Sequence, residues 1–150
     1  MRMTTELKKS AHGVYDIHLH ICLVTKYRYK VLTEAMLSEM QQIFTKVLES
    51  KRCELEDFNG EPVRVACARL TYHVHLLIQL HPDNNVAQLI SSLKSASSRI
   101  LRKSYKEELK CYWGNAKLWH DSKCIVSCGG APLEIVKEYI KNQSGGRKPS

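Results

Sequence analysis

The chain has 150 residues, 43% hydrophobic and 25% charged, with a net charge of +8 and a sequence pI near 9.2. That length makes one domain with a core of its own, and no apolar run approaches the roughly 20 residues of a membrane span. The positive excess points to a polyanionic partner, with a merely solvated basic surface as the plain alternative.

The first residues are not followed by the apolar run of a signal peptide, so a cytoplasmic protein without a membrane partner is expected. The six cysteines, at 22, 53, 67, 111, 124 and 128, are scattered and read as reduced thiols rather than a disulfide framework. Cys124-x-x-x-Cys128 is half of a zinc pattern with no matching second pair.

In chain order, residues 1–12 are polar and predict a flexible arm. From Val14 to Thr25 the pattern alternates: Ile17, Leu19, Ile21 and Leu23 face one way, Asp16, His18, His20 and Cys22 the other. This is the signature of a half-buried strand. Lys26-Tyr27-Arg28-Tyr29-Lys30 interleaves cations with rings on which unpaired bases can stack, unless the segment packs against a sheet. Thr33 can cap a helix over residues 34–50, with Met36, Met40, Ile43, Phe44, Val47 and Leu48 as its core stripe. Asn59-Gly60 predicts a turn between two strands.

The most informative stretch is Tyr72-His73-Val74-His75-Leu76-Leu77-Ile78-Gln79. As a strand it places His73, His75, Leu77 and Gln79 on one face and Val74, Leu76 and Ile78 on the other. The second face suits a core. The first carries two imidazoles one strand repeat apart, a spacing that can hold one divalent metal. Two partly buried, hydrogen-bonded histidines would read the same way. His18 and His20 form a rival pair, and His20 falls beside the first pair only if the two strands are neighbours.

His81-Pro82-Asp83-Asn84-Asn85 ends that strand and offers a cap to a helix over residues 86–103. Val86, Leu89, Ile90, Leu93, Ile100 and Leu101 form its apolar side. Lys94, Arg99, Arg102 and Lys103 lie around the rest, with serines between them, as a phosphate-binding surface or a solvated face. After a further strand, Pro132 opens a last helix over residues 131–143, bracketed by Gly129-Gly130 and Gly145-Gly146. On it Tyr139 and Gln143 stack one turn apart. A tyrosine beside a metal can attack a phosphodiester, and an amide oxygen can be a hard ligand. Alternatively Tyr139 is core and Gln143 a solvated helix end. Residues 144–150 predict a flexible basic tail.

His-hydrophobic-His on a strand with Tyr-x-x-x-Gln on a late helix resembles the one-tyrosine HUH transposases, the small single-strand transposases of bacterial insertion sequences. Thr25-Lys26-Tyr27-Arg28, the Ser- and Arg-containing helix from Leu93 to Arg102, Trp113-Gly114, Leu118-Trp119 and Gly129-Gly130 follow in that family's order, so the resemblance covers about residues 13 to 143. The chain departs from the pattern at Tyr72, where an acidic or polar residue usually precedes the first histidine. It also departs in the longer segment 63–72 and at Lys123, where an aromatic is common.

The resemblance implies an α+β fold: a Rep-like, ferredoxin-like antiparallel sheet with helices mainly on one face, in one domain spanning residues 1–150. It implies a metal-dependent transposase that cleaves and rejoins single-stranded DNA through a 5′-phosphotyrosine. His73 and His75 with Gln143 would hold Mg2+ or Mn2+, and Tyr139 would be the nucleophile. Single-stranded or hairpin DNA of insertion-sequence ends would meet Lys26, Arg28, Lys94, Arg99, Arg102 and Lys103. A homodimer is implied as well, with the tyrosine helix of one subunit completing the other's site. Two other readings remain at this level: an impaired relative, altered around Tyr72 and Lys123, that only binds such DNA, and an unrelated metal-binding protein using His18, His20, His73 and His75.

Overall fold

The computed structural model describes residues 8–10, 13–60, 63–65, 68–113 and 117–127. Its elements are β1 (Lys8–Ser10), β2 (Gly13–Tyr15), β3 (His18–Thr25), a 3-10 turn at Lys26–Arg28, α1 (Glu34–Ser50), β4 (Glu54–Gly60), β5 (Val63–Val65), β6 (Ala68–Leu70), β7 (His73–Gln79), α2 (Val86–Ser104), α3 (Lys106–Trp113) and β8 (Trp119–Ser127). The central sheet runs β4-β7-β3-β8, with every neighbouring pair antiparallel. With α1 between β3 and β4, and α2 between β7 and β8, this is the ferredoxin-like, Rep-like α+β class that the resemblance implies. No helix among the described residues is long and apolar enough to cross a membrane.

Strand alternation decides which face is core. Ile21, Leu23, Val74, Leu76 and Ile78 are fully shielded from solvent. Phe58 pairs in register with Leu76 and so joins that face, where its ring meets Phe44 of α1 edge-on at 5.7 Å. Met36, Met40 and Leu48 of α1 and Leu89, Ile90 and Leu93 of α2 complete the layer. Each such side chain contributes about 1.5–3 kcal/mol of burial, so together they far exceed two caps of roughly 1 kcal/mol each. The caps still set where the helices begin. Thr33 accepts from Met36 N at 3.2 Å, and Asn85 accepts from Gln88 N at 3.1 Å, satisfying amides that no helical carbonyl reaches.

Several expectations need correction. The segment expected as an arm, residues 1–12, contains β1, which pairs with β2. The alternating run from Val14 is broken at Asp16 and Ile17, so β2 belongs to a separate two-stranded ribbon. Asn59 and Gly60 are the last residues of β4, paired with His75 and Val74, rather than a turn. A Cβ at Gly60 would sit 2.9 Å from the end of the Leu37 side chain of α1, so that side chain packs closely over the glycine. The long segment 63–72 folds as its own ribbon, β5 against β6. The short helix α3 had no counterpart in the sequence reading. The predicted helix over residues 131–143, with Tyr139 and Gln143, lies outside the described residues, as does the tail at 144–150.

Candidate active site

The histidine strand is fixed before it begins. Thr71 and Leu32 exchange two backbone hydrogen bonds of 3.0 Å, and the Thr71 hydroxyl donates to the His73 carbonyl at 3.1 Å. Thr25 N donates to the Tyr72 carbonyl at 2.8 Å. The Tyr72 ring then meets the His73 ring edge-on at 4.7 Å. From there β7 lies between β3 and β4, so its register is held on both sides.

His73 and His75 project from the sheet face opposite α1 and α2. Their ring centres are 5.1 Å apart. With metal–nitrogen bonds of about 2.1 Å, two imidazoles sharing one ion have centres roughly 5 Å apart, so the spacing of this pair allows a shared divalent ion. In register, His75 is flanked by Asn59 on β4 and Cys22 on β3, and His73 by Val24. Among the described residues no group of three or more His, Cys, Asp or Glu side chains is placed to hold an ion. The further donor expected at Gln143 lies outside them.

His20 stands on the same face, because β3 and β7 are neighbours. Its ring centre is 5.2 Å from that of His75. Burial, and then repulsion from His75, push its pKa down to about 3, so it is neutral at any working pH.

His18 is different. Its Nδ1 meets Glu56 and its Nε2 meets Asp16 at 2.6 Å, so both ring nitrogens are taken by carboxylates. No nitrogen is left to bind a metal, which removes the rival His18/His20 pair. Burial opposes the charged ring, but Glu56 and then Asp16 outweigh it and raise the pKa above 6.5. A base whose folded pKa is raised stabilises the fold fully below pH 6.5 and loses that contribution as pH rises through the folded value. His18→Gln should therefore destabilise most at acidic to neutral pH and progressively less at alkaline pH. Urea denaturation of both proteins at pH 6 and pH 9 measures this, and an equal gap at the two values would refute it.

On the other face, α2, α3 and β8 enclose an open cleft of about 880 Å3. Arg99, Arg102, Lys103, Lys106, Lys110, Lys117 and Lys123 line it, with Asp121 as the opposing charge. A smaller hollow of about 330 Å3 adjoins it, sharing His120 and Asp121 and bordered by Lys26, Tyr27 and Arg28. There the chain takes left-handed backbone at Tyr27 (φ 61°) and Arg28 (φ 55°), uncommon for residues with a Cβ. The turn holds Tyr27 out in solvent, 64% exposed, with Tyr29 5.6 Å away, ring centre to ring centre. Lys94 lines the cleft too, anchored to β8. Its Nζ donates to the carbonyls of His120, Asp121 and Ser122 at 2.7, 3.4 and 3.3 Å, tying α2 to β8. Burial, and then Lys123 nearby, lower its pKa.

The sequence model of the IS200-like transposases matches residues 13–143. The chain belongs to that family. It is 26% identical over 138 residues to the ISDra2 transposase TnpA of Deinococcus radiodurans, covering 92% of this chain and 91% of the relative. It is 27% identical over 136 residues to the transposase for insertion sequence element IS200 of Salmonella typhimurium, covering 91% and 82%. Its fold is similar to the crystal structure of a Deinococcus radiodurans protein assigned as a transposase, with a TM-score of 0.68 and 26% identity over 91% of this chain and 97% of that one. It is also similar in fold to a REP-associated tyrosine transposase bound to a REP hairpin, with a TM-score of 0.54 and 12% identity over 88% and 68%.

For this IS200-like transposase, the residues picked from sequence thus divide. His73 and His75 come together on one face. Arg99, Arg102 and Lys103 come together on the other, and Lys26 and Arg28 sit at the adjoining hollow. Lys94 lines the same cleft and is also tied to the carbonyls of β8. Lys106, Lys110 and Lys117 of the cleft were missed, because only the fold brings α3 and the start of β8 against α2. Their signal in the sequence was the run of lysines between residues 103 and 123.

Proposed function

We propose that this transposase is a metal-dependent enzyme that cuts and rejoins single-stranded DNA at insertion-sequence ends. The observation that supports this best is the pair His73 and His75, whose rings stand 5.1 Å apart on one sheet face in a chain of this family. His73, His75 and Gln143 would hold Mg2+ or Mn2+. When bound, the ion supplies Lewis-acid polarisation of the scissile phosphate. The Tyr139 hydroxyl attacks phosphorus and gives up its proton. The bond to the 3′ oxygen breaks, leaving a 3′ hydroxyl and a 5′-phosphotyrosine. Attack by a 3′ hydroxyl on that link rejoins a strand and releases the tyrosine. The covalent link conserves the bond energy, so no nucleotide cofactor takes part. The reading includes a homodimer in which one subunit's Tyr139 and Gln143 serve the other's histidines.

The basic cleft supports a phosphate-binding role on the face away from the histidines, and a hairpin is a ligand that one structural neighbour of this fold accommodates. Aromatic Tyr27 and Tyr29 offer stacking surface for unpaired bases. Lys94, Arg99, Arg102 and Lys103 would carry the contact on α2, with Lys94 held in place by the β8 carbonyls. Arg99→Ala or Arg102→Ala should weaken DNA binding and reduce the slope of log affinity against log salt by about one each. Fluorescence anisotropy across a salt series reads the slope, and unchanged slopes would remove the cleft from the DNA path.

The test of the whole reading is incubation with labelled single-stranded element ends and Mg2+ or Mn2+, followed by a denaturing gel. A metal-dependent covalent protein–DNA band is expected. DNA binding without that band would instead fit the impaired relative.

A further inference from the structure

We propose that Cys22 and Cys124 form a peroxide-responsive dithiol, a modification site near the sheet edge that closes reversibly to a disulfide. The inference goes beyond the transposase chemistry and does not depend on the metal reading. Strand order and register carry it. β8 ends the sheet beside β3, and the two cysteines are direct antiparallel partners within the unbroken run from Leu19↔Ser127 to Leu23↔Lys123. Both side chains leave the same face. Ile21 and Leu23, on either side of Cys22, are fully buried in the core, and Lys123 beside Cys124 lines the cleft on the helix side. Strand alternation therefore sends both cysteines to the opposite face. Directly opposed residues in an antiparallel pair have Cα atoms about 4.5 or 5.5 Å apart. A disulfide takes Cα separations of about 4.4–6.8 Å, so the native register holds the pair within bonding reach at either spacing.

The second observation is access. Cys22 and Cys124 are thiols that are half-buried rather than enclosed, which leaves room for a solute as small as a peroxide. Cys53 is the contrast. It is 3% exposed, accepts from His81 N and Asn84 Nδ2 at 3.4 Å each, and burial raises its pKa, disfavouring the reactive thiolate. With hydrogen peroxide, one thiol of the pair takes an oxygen atom to become a sulfenic acid, and the rest of the peroxide leaves as water. The sulfur of the second thiol displaces that oxygen, which departs with the thiol proton as a second water, and the S–S bond forms. Two thiols thus lose two electrons and two protons, and one peroxide is reduced. The bond ties the edge strand to β3 next to His75, the register partner of Cys22 on its other side. It also closes a loop of about 100 residues, which restricts the unfolded chain.

The experiment is treatment of the reduced, folded full chain with stoichiometric hydrogen peroxide in the presence of a chelator. Remaining thiols are then alkylated, and intact mass and non-reducing peptide maps are recorded. We expect the loss of two hydrogens, a linked peptide pair joining Cys22 to Cys124, and full reversal by dithiothreitol. Cys53 should be alkylated as before. The oxidised protein should unfold at a higher urea concentration than the reduced one. Cys22→Ser and Cys124→Ser should each abolish the linked pair and leave the surviving partner as a sulfenic acid that dimedone traps. A link from Cys124 to any other cysteine, Cys128 included, would overturn the assignment. So would loss of two hydrogens in Cys22→Ser, survival of both thiols in the unsubstituted protein, or a lower urea midpoint after oxidation. The mapping on the unsubstituted chain decides the matter even if a serine variant folds poorly.

Discussion

Tyr139→Phe is expected to eliminate the covalent protein–DNA adduct while leaving folding and DNA binding in place. Phenylalanine keeps the ring and its packing and removes only the attacking oxygen. No other group is proposed to replace that oxygen, so cleavage should fall by roughly 10⁴-fold or more, the scale seen when a nucleophile is deleted. Seven tyrosines are present, and Tyr139 is singled out by Gln143 four residues on within the family span of residues 13–143. Gln143→Ala should cost less, since water can take one ligand position. Peptide mapping of the adduct is the direct check, and a link to any other tyrosine would sink the mechanism. Mixing Tyr139→Phe with a His73→Ala, His75→Ala double variant tests sharing between subunits. Recovery of some cleavage supports composite sites, and a mixture that stays inactive refutes them.

Loss of either imidazole should be nearly as severe. Lewis-acid stabilisation contributes several kcal/mol to phosphoryl transfer, and each 1.36 kcal/mol is about tenfold in rate. His73→Ala or His75→Ala should therefore lower metal-dependent cleavage by about a thousandfold or more. DNA affinity should change little, because the basic cleft lies across the sheet from both rings. Single-turnover cleavage and a parallel binding titration separate the two effects. Variants that cleave at the normal rate would show that these histidines hold no catalytic ion.

How much of this was readable from the sequence depends on how local each signal is. The alternation in β7 set the core face and the histidine face correctly, since the side-chain period of a strand is two whatever its neighbours are. Thr33 and Asn85 marked their helices because a cap is made within four residues. Asn59-Gly60 failed because pairing of β4 along β7, a long-range contact, outweighed the local turn preference. The helix α3 is eight residues of mostly polar chain, and its buried anchor Leu109 is one side chain in a weak pattern. His20 could be placed beside His75 only once the strand order was known, and Lys94 only once β8 was seen to bring its carbonyls to the ammonium. Charge type is legible in one dimension, but the partner of a charge is not.

The ribbon β5–β6 returns to the sheet through a gate at Thr71 and Tyr72. On the near side of the gate stand the Leu32–Thr71 exchange and the bond from Thr25 to the Tyr72 carbonyl. Whatever length the ribbon has, the chain re-enters β7 at the same point and in the same phase, so His73 and His75 keep their face. A one-residue slip there would turn both imidazoles into the core. The gate therefore decouples the length of the ribbon from the placement of the two imidazoles.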